Sequence, residues 1–530
     1  MNQTPPQPTR ARIVTELRAL IVLVLPIIAA QMAHTLLGFV DTAMAGRVSA
    51  EALAAVALGN SFWIPTLLFL TGVMMILTSK VAAASGAGRV SETGALVRQG
   101  AWLGLILGLF CLLFLNLMQP VLVWMKVEPQ LVPVTLDYLL AISLGFPAVG
   151  MMLALRGLTD GLSRTKPAML IGFIGLVINV PANYVLVYGK FGFPAMGAVG
   201  CGVATALVMW AMLGCMLFHL KRARFYQPCG LFERFDWPHA RTQGELIGLG
   251  FPIGIALFAE TSMFAVIALL IGSLGAVVVA SHQVTINFSS LVFMVPFSLG
   301  LAITVRVGHN LGRSGARDAI LATKVGLVLA LVFAALAATA MYTLAQQIPQ
   351  IYTQDREVIS LAASLLALAA LYQFSDAIQV ACAGALRGFQ DTRLPMLLTM
   401  IAYWLIGLPT GCILGLTDWL GPARGPAGFW LGLIVGLSSA ALFLGKALGF
   451  AHEDRMVLLF CGSKKSLASG VPLAGVLFPA AQVGAVILPL MFFHQIQLMV
   501  CAVLARRFAA QVEAQAETEA GVGASGATPA

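Results

Sequence analysis

The chain has 530 residues, of which 59% are hydrophobic and only 10% are charged, and its mean hydropathy is +0.92. A soluble domain carries about 25% charged residues, so this composition excludes a soluble protein and predicts an all-α, polytopic membrane protein. The net charge of +9 does not indicate a nucleic-acid partner, because the basic residues lie in short segments between apolar runs, where they set membrane topology.

Twelve apolar runs are long enough to cross a bilayer, which requires about 20 residues of helix. The predicted helices span residues 16–42, 52–79, 94–119, 133–155, 168–189, 196–219, 245–273, 276–305, 319–346, 358–385, 394–416 and 426–447. Basic residues concentrate in alternate connections, for example Lys80 and Arg89 after the second run and Lys221 and Arg222 after the sixth. This alternation supports the count of twelve, and by the positive-inside rule it predicts that the N-terminus is cytoplasmic.

The two halves of the chain repeat one another. The heptapeptide ALRGLTD at 154–160 recurs as ALRGFQD at 385–391, and Pro26 of the first run corresponds to Pro252 of the seventh. The offset equals six helices, so the halves share one orientation and are expected to form two pseudo-symmetric six-helix bundles with a binding site near the midplane between them. The predicted parts are a cytoplasmic tail at 1–15, an N-terminal lobe at 16–220, a cytoplasmic loop at 221–244, a C-terminal lobe at 245–450 and an atypical hydrophobic tail at 451–530.

Three acidic residues lie inside apolar runs: Asp41, Glu260 and Asp376. A charged side chain at the bilayer centre costs about 2.5–3.5 kcal/mol even on a lenient scale, and such residues usually face a bundle interior or a water-filled pathway. The alternative is that each acid only hydrogen-bonds to a neighbouring helix. For Asp41, near the end of its run, a position at the membrane interface is a further alternative. We predict that the three acids bind cations or protons.

Polar and aromatic residues at helical spacing accompany the acids. Phe264 lies one turn after Glu260, and Tyr372 and Gln379 lie one turn before and after Asp376, so each is expected on the same helix face as its acid. Further candidates for the lining of a cavity are His34, Asn179, Asn183, Gln283 and Asn287. His34, Gln283 and Asn287 also have a packing interpretation, which is the favoured one for His34.

No nucleotide-binding motif and no metal-spaced set of His and Cys residues is visible in the sequence, so no cofactor is expected. Burial disfavours the ionised form of a carboxyl group and a bound cation favours it. One buried acid therefore holds a proton, a sodium ion or an organic cation in turn, which is the minimal mechanism of an antiporter driven by an ion gradient. Aromatic neighbours favour lipophilic cations as the exchanged species.

Several long stretches are specific enough to suggest a family, among them PIIAAQMAHTLLGFVDTAMAGR at 26–47, GFIGLVINVPANYVLVYG at 172–189 and YQFSDAIQVACAGALRGFQDT at 372–392. Through them, and over about residues 15–447, the chain resembles the multidrug and toxic compound extrusion (MATE) transporters, specifically their NorM branch. The resemblance implies two lobes around a cavity that opens alternately to the two faces of the bacterial inner membrane. It also implies export of organic cations, including dyes and fluoroquinolones, in exchange for H⁺ or Na⁺.

Carried over by position, the resemblance implies a role for each acid. Asp41 corresponds to the acid of the N-terminal lobe, with Asn179 and Asn183 nearby, and Glu260 and Asp376 correspond to the cation-binding pair of the C-terminal lobe, where Na⁺ would bind. Some family members have a second acid where this chain has Asn183, so the C-terminal pair is the predicted coupling site. The implied partners are small organic cations and membrane lipid, with no obligate protein partner.

The segment after residue 450 has a different resemblance. The stretch EDRMVLLFCGSKKSLASGVPLAG, and the sequence that follows it to about residue 510, resemble the C-terminal end of bacterial bile acid:sodium symporter-like proteins. The rest of that family's bundle is absent from this chain, so the resemblance implies a fused remnant that does not transport by itself.

Two other functions compete with cation-coupled efflux. A lipid or polysaccharide-precursor flippase of similar architecture would have a strongly cationic cavity, whereas the intramembrane charges here are mostly acidic. An intramembrane aspartyl hydrolase would need two facing carboxylates that share a proton, for which Glu260 and Asp376 are the candidates. The twofold repeat favours rocking lobes over a protease, so we predict a transporter and not an enzyme.

Overall fold

The computed structural model describes residues 9–125, 127–419 and 424–447, and within them the regular structure is helical. The N-terminal half consists of α1 (Thr9–Gly46), α2 (Ala50–Gly86), α3 (Val90–Asn116), α4 (Leu131–Gly161), α5 (Lys166–Tyr188) and α6 (Gly197–Arg222). The C-terminal half consists of α7 (Ala240–Ile271), α8 (Ala276–Ser314), α9 (Ala316–Thr343), α10 (Arg356–Gly388), α11 (Arg393–Leu416) and α12 (Pro426–Ala447). Short helices in the connections span Gln119–Trp124, Arg224–Cys229 and Gln347–Gln350.

Several helices are longer than the apolar runs that predicted them. Helices α1 to α11 are each long and apolar enough to cross a membrane, and α12 has a shorter apolar part at Pro426–Ala440. Helix α1 has 38 residues and therefore extends about 57 Å, well beyond the roughly 30 Å of a hydrocarbon core. Hydropathy reports only the part of a helix that suits lipid, so it misses the polar turns at the ends. Helix α1 begins at Thr9, inside the segment predicted to be a tail.

Contacts between helices repeat from one half to the other. In the N-terminal half α1 packs on α5, α2 on α3 and α4, α3 on α4, and α5 on α6. In the C-terminal half α7 packs on α11, α8 on α9 and α10, α9 on α10, and α11 on α12. The same pairs occur after a shift of six helices, which confirms the predicted pseudo-symmetry. The two halves meet where α2 packs on α7 and α8, and where α1 packs on α8.

Glycines allow the closest approaches within and between the halves. A Cβ atom added to Gly432 on α12 would fall on the backbone of Gly407 and Gly411 on α11. A Cβ atom added to Gly72 on α2 would fall on the backbone of Gly254 on α7, across the interface between the halves. In a membrane, where the hydrophobic effect does not drive helices together, close backbone packing of this kind supplies much of the association energy.

Helix α11 contains a π-helical segment at Ile401–Gly407, whereas the sequence predicts one regular helix over 394–416. Pro409 follows immediately, in the α-helical segment Leu408–Leu416. Proline has no N–H to donate to the carbonyl one turn earlier, and a widened turn accommodates the missing bond. Such turns are frequent at functional sites. Here the turn contains Tyr403, which is fully buried.

Ion pairs join the two halves at the end of the bundle where α1 begins. Glu16 on α1 accepts two hydrogen bonds from Arg306 on α8, each 2.7 Å long, and Arg12 on α1 pairs with Asp318 on α9. Glu16 is only 6% exposed, so the bidentate pair is largely removed from water. These pairs hold the first turns of α1 against the C-terminal half.

Candidate ion- and substrate-binding site

In the N-terminal half, Asp41 is a buried carboxylate with three hydrogen-bond donors. Its Oδ1 accepts from Nδ2 of Asn179 at 3.1 Å and of Asn183 at 2.7 Å, and its Oδ2 accepts from Oγ1 of Thr205 at 2.6 Å. The donors belong to α5 and α6, so the acid ties both helices to α1. Asp41 is 5% exposed, which places it in the interior of the helix bundle.

Asn179 and Asn183 surround Asp41, and their predicted place in the lining of a substrate cavity stays a prediction. Both are fully buried, and both direct their amide nitrogens to Asp41. They lie one turn apart on α5, so they present their amides side by side on one face of the helix. Their observed role is to surround the acid.

In the C-terminal half, Asp376 on α10 is fully buried but incompletely partnered. The Tyr372 hydroxyl donates to Asp376 Oδ1 at 3.4 Å and lies 3.3 Å from the hydroxyl of Tyr403 on α11. The second oxygen, Oδ2, has no hydrogen-bond partner among the described residues. A buried carboxylate oxygen is costly to leave unpaired, so it is a position suited to a proton, a cation or water.

Glu260 approaches the same tyrosine pair from α7. Its carboxylate interacts with the Tyr403 hydroxyl, and the side chain lines a small cavity of about 40 Å³. The cavity wall also contains Phe293 and Phe297 from α8 and Gln379 and Arg387 from α10. An acidic group beside aromatic rings is the environment in which an organic cation binds well.

The tyrosine pair, Tyr372 and Tyr403, therefore links the two acids that the sequence predicts as a pair. Tyr403 interacts with Glu260, and Tyr372 bonds to Asp376. No hydrogen bond joins the two carboxylates directly in the described part of the chain. The arrangement differs from the dyad of an aspartyl hydrolase, in which two carboxylates share one proton.

Two further predicted residues lie at this site. The ring of Phe264 packs edge-on against Tyr403, with 6.4 Å between the ring centroids. Gln379 donates from Nε2 to Thr399 Oγ1 at 3.3 Å, while its Oε1 has no partner in the described structure. Both residues are therefore close to the acid pair, as their spacing in the sequence predicted.

Gln283 and Asn287 lie on an exposed face of α8, and the Gln283 amide donates to Asn287 Oδ1 at 3.3 Å. Primary amides that face lipid leave donors and acceptors unsatisfied, which is unfavourable in a membrane. This pair therefore indicates a water-filled space beside α8.

His34 has an exposed side chain on α1, and its place in the lining of a cavity stays a prediction.

Three residues of these sites were not predicted from the sequence: Thr205, Tyr403 and Arg387. Thr205 and Tyr403 stand in apolar runs without an acid at helical spacing, and their partners lie far away in the chain. Arg387 did have a signal, because it stands in the repeated motif at 385–391, whose first copy contains Arg156.

The oxygen atoms at the C-terminal pair are compatible with Na⁺. Carboxylate and hydroxyl oxygens are the ligand type that hard cations prefer, and Asp376 Oδ2 is an unpartnered oxygen at the centre of the group. Among the described residues there is no group of three or more His, Cys, Asp or Glu side chains that could hold a metal ion. Glu260, Asp376 and the tyrosine hydroxyls are the oxygen groups that would hold the ion.

Twelve apolar helices in two repeated halves, with a buried acid in each half, define a polytopic membrane transporter. The family model MatE matches residues 26–185 and 252–413. The chain belongs to this family of MATE transporters. The multidrug resistance protein PmpM of Pseudomonas aeruginosa is 53% identical over 434 residues, which cover 82% of this chain and 91% of that protein. The probable multidrug resistance protein NorM of Shewanella oneidensis is 46% identical over 441 residues, which cover 83% of this chain and 96% of that protein.

Solved structures support the same fold. The eukaryotic MATE transporter AtDTX14 aligns with a TM-score of 0.76 at 19% identity, covering 85% of this chain and all of that one. The Vibrio cholerae MATE transporter VcmN in its bent form aligns with a TM-score of 0.72 at 16% identity, covering 84% of this chain and 99% of that one. At these identities the alignments establish the architecture, whereas the site rests on the geometry of this chain.

Proposed function

We propose that the protein is an antiporter that exports lipophilic organic cations, such as dyes and fluoroquinolone-like drugs, in exchange for H⁺ or Na⁺. The observation that carries this proposal is the C-terminal acid pair. Glu260 lines a small cavity with aromatic walls, and Asp376 has an unpartnered carboxylate oxygen behind the tyrosine pair. The names of the relatives, which are multidrug resistance proteins, support the same substrate class.

Exchange follows from competition for one set of negative charges. An organic cation in the cavity is held by the charge of Glu260 and by the aromatic walls. When H⁺ or Na⁺ occupies the acid pair, that charge is neutralised and the organic cation loses its electrostatic partner. If the two lobes expose the site to one face of the membrane at a time, inward movement of the ion drives outward movement of the drug.

Asp41 has a different role in this proposal. All three of its donors are in place, and protonation would remove the negative charge that strengthens these hydrogen bonds. Protonation of Asp41 would therefore loosen α5 and α6 from α1. Asp41 couples the charge state of the N-terminal half to its helix packing, while the C-terminal pair exchanges ion and drug.

The proposed location is the bacterial inner membrane, with the N-terminus in the cytoplasm. The distribution of Lys and Arg along the chain supports this orientation. The moving parts would be the lobes at 16–220 and 245–450, joined by the loop at 221–244. The hydrophobic tail at 451–530, with its resemblance to symporter-like proteins, lies outside the described residues.

A flippase for phosphate-bearing lipids is the alternative, and the cavity does not favour it. Recognition of a phosphate group requires an excess of positive charge. The cavity wall contains one cationic residue, Arg387, beside the acid Glu260, so it has no excess of positive charge. Cation exchange therefore remains the better match to the site.

The direct test is ethidium transport by the purified protein in liposomes, with an imposed sodium gradient compared with an imposed pH gradient. Transport under sodium alone would assign Na⁺ to the acid pair, and transport under the pH gradient alone would assign H⁺. Folded protein that moves no dye under either gradient would contradict the proposal and favour the flippase.

The same assay tests the acids individually. Glu260→Gln and Asp376→Asn each remove a charge on which exchange depends, so we expect export to fall more than about tenfold, which corresponds to 1.4 kcal/mol of lost interaction. Glu128→Gln, an exposed acid in a connection, is the matched control and should transport normally. Unchanged export in either site variant would remove that residue from the coupling site.

A further inference from the structure

Arg387 is a buried cation in the wall of the proposed drug cavity. It lies on α10, is 7% exposed, and lines the same cavity as Glu260. Arg387 stands in the last turn of its helix, and a cation that is buried in this way usually has a partner. The question is which group neutralises it.

The hydrogen bonds of the Arg387 guanidinium are all to neutral groups. Nε donates to the carbonyl oxygen of Ala383 one turn back at 3.2 Å, and Nη1 lies 3.2 Å from Sδ of Met75. A guanidinium has five N–H donors, so most of its capacity remains available. Among the described residues no carboxylate lies within ion-pair distance of it, and Glu260 across the cavity is the acid that acts on it electrostatically.

The first copy of the repeat has a different arrangement. Arg156, the counterpart of Arg387, forms an ion pair with Asp160 at 3.1 Å, four residues later on the same helix. The counterpart of Asp160 is Asp391, which is exposed and accepts a hydrogen bond from the Leu394 backbone at 3.3 Å.

The helix ends explain this difference. Helix α4 continues to Gly161, so Asp160 is one helical turn from Arg156. Helix α10 ends at Gly388, before Asp391 can take the equivalent position. Arg156 is thus neutralised locally, whereas Arg387 is left facing Glu260.

Arg387 is also a contact between the halves. Met75 and Ser79 both belong to α2 of the N-terminal half, and Ser79 Oγ donates to the Arg387 carbonyl oxygen at 2.6 Å. The contact of the guanidinium with Met75 exists only while α2 lies against α10. A rearrangement that separates these helices would release the guanidinium toward the cavity.

We propose that Arg387 is a tethered counter-ion of Glu260 that competes with the transported cation for the carboxylate. The guanidinium is held at Met75 and offsets the charge of Glu260 across the cavity, and an organic cation that enters the cavity competes with it for that charge. The residue thereby sets how strongly a cation must bind to displace it, which makes it a specificity-determining residue. The effect of Arg387 on specificity rests on the proposed exchange function. The electrostatic link between Arg387 and Glu260 does not depend on that function.

The link is tested with a hydrophobic carbodiimide, which reacts with protonated carboxyl groups inside membranes. Labelling of Glu260 in the full-length protein is followed by mass spectrometry as a function of pH. The other titratable groups near Glu260 are Tyr403 on α11 and Tyr372 and Asp376 on α10, and they are unchanged in these variants. Arg387→Gln removes a nearby positive charge, so Glu260 stays protonated to higher pH, and the labelling midpoint should rise by about 1 pH unit.

Two controls separate this role from a structural one. Arg387→Lys keeps the charge and should keep the midpoint near that of the wild type, while Arg156→Gln alters the repeat counterpart and should leave Glu260 labelling unchanged. Arg387→Met is a second neutral variant if Arg387→Gln does not fold. A midpoint that is the same in the neutral variants and the wild type would overturn the proposal.

Ethidium binding provides the second readout. Removal of the competing cation in Arg387→Gln should tighten ethidium binding about tenfold, and the same change in a Glu260→Gln background should have no effect. Equal weakening in both backgrounds would show a merely structural role and overturn the proposal. If the wild type binds no ethidium at all, the proposed substrate class fails, while the carbodiimide result still decides whether Arg387 and Glu260 are linked.

Discussion

At the scale of single residues, the two halves treat their acids differently. Asp41 accepts hydrogen bonds on both oxygens, whereas Asp376 has one oxygen without a partner in the described structure. The hydrogen bonds that Asp41 accepts already stabilise its buried carboxylate. A bound cation would therefore add less stabilisation at Asp41 than at Asp376. Asp376 retains a vacant acceptor in a polar cluster. The acids are not counterparts in the repeat, because the offset that pairs Pro26 with Pro252 places His34 opposite Glu260 and Ile267 opposite Asp41.

A substitution at Thr205 tests the contribution of the hydrogen bonds to Asp41. Thr205→Val removes the donor to Asp41 Oδ2 and leaves a buried charged oxygen unpaired, so we expect the free energy of unfolding to fall by about 1.5–3 kcal/mol. Thermal unfolding of the purified protein in detergent measures the change. Thr339→Val is the matched control, because the Thr339 side chain is exposed and bonds only within its own helix. Equal melting temperatures for the two variants would contradict the prediction.

At the scale of elements, the shape of α11 determines what the tyrosine pair can do. The π turn at Ile401–Gly407 contains Tyr403, and Tyr403 is the group that meets both Tyr372 and Glu260. A regular helix would rotate every residue beyond the turn relative to α10. The π turn therefore aligns the hydroxyl groups of Tyr372 and Tyr403 between the two acids.

Pro409 tests this element. Pro409→Ala restores a backbone N–H and should favour a regular helix, which would raise stability by up to about 3 kcal/mol and displace Tyr403 from the acid pair. We expect reduced ethidium export together with an unchanged or higher melting temperature. Pro349→Ala, in a short connecting helix, controls for the general effect of replacing proline. Full export by Pro409→Ala would show that the π turn is not needed.

At the scale of the whole molecule, the halves are held together at the end where α1 begins. The Glu16–Arg306 pair joins α1 to α8 and is nearly buried. Breaking a buried pair by removing one partner typically costs about 3–5 kcal/mol, which is enough to shift the equilibrium between two arrangements of the lobes. Alternating access would require this pair to separate and re-form in every cycle.

Glu16→Gln should therefore favour separation of α1 and α2 from α8. A Cβ atom at Gly308 on α8 would lie 3.3 Å from the Cβ atom of Ala82 on α2, close to the spacing of a disulfide. In a cysteine-free background, the yield of a disulfide between cysteines introduced at these two positions should fall in Glu16→Gln. The exchanged pair Glu16→Arg with Arg306→Glu should restore it. An unchanged disulfide yield in Glu16→Gln would show that the Glu16–Arg306 pair does not hold the two halves together.

The tail is tested by deletion. Twelve helices are complete by Ala447, so removal of residues 451–530 should leave ethidium export within about twofold of the full chain, less than 0.5 kcal/mol in free energy. Deletion from residue 426, which also removes α12, should abolish export and serves as the control. Loss of export in the shorter deletion alone would show that the tail is part of the transporter.

The sequence by itself determined the class of fold, the repeat and the three acids. These features are local: hydropathy marks the part of each helix that suits lipid, and an acid in an apolar run is conspicuous without any knowledge of its neighbours. The spacing of Tyr372, Phe264 and Gln379 along a helix was likewise sufficient to place them near an acid.

Only the tertiary structure decided which partner each of these groups has. Thr205 meets Asp41 across 164 residues, and Arg306 meets Glu16 across 290, so no periodicity within one helix connects them. The charge balance at Glu260 depends on where α10 ends, because a helix that stops at Gly388 cannot present Asp391 to Arg387. Hydropathy does not locate helix ends to within a turn. Because the partner of each buried arginine depends on where its helix ends, hydropathy could not predict that partner.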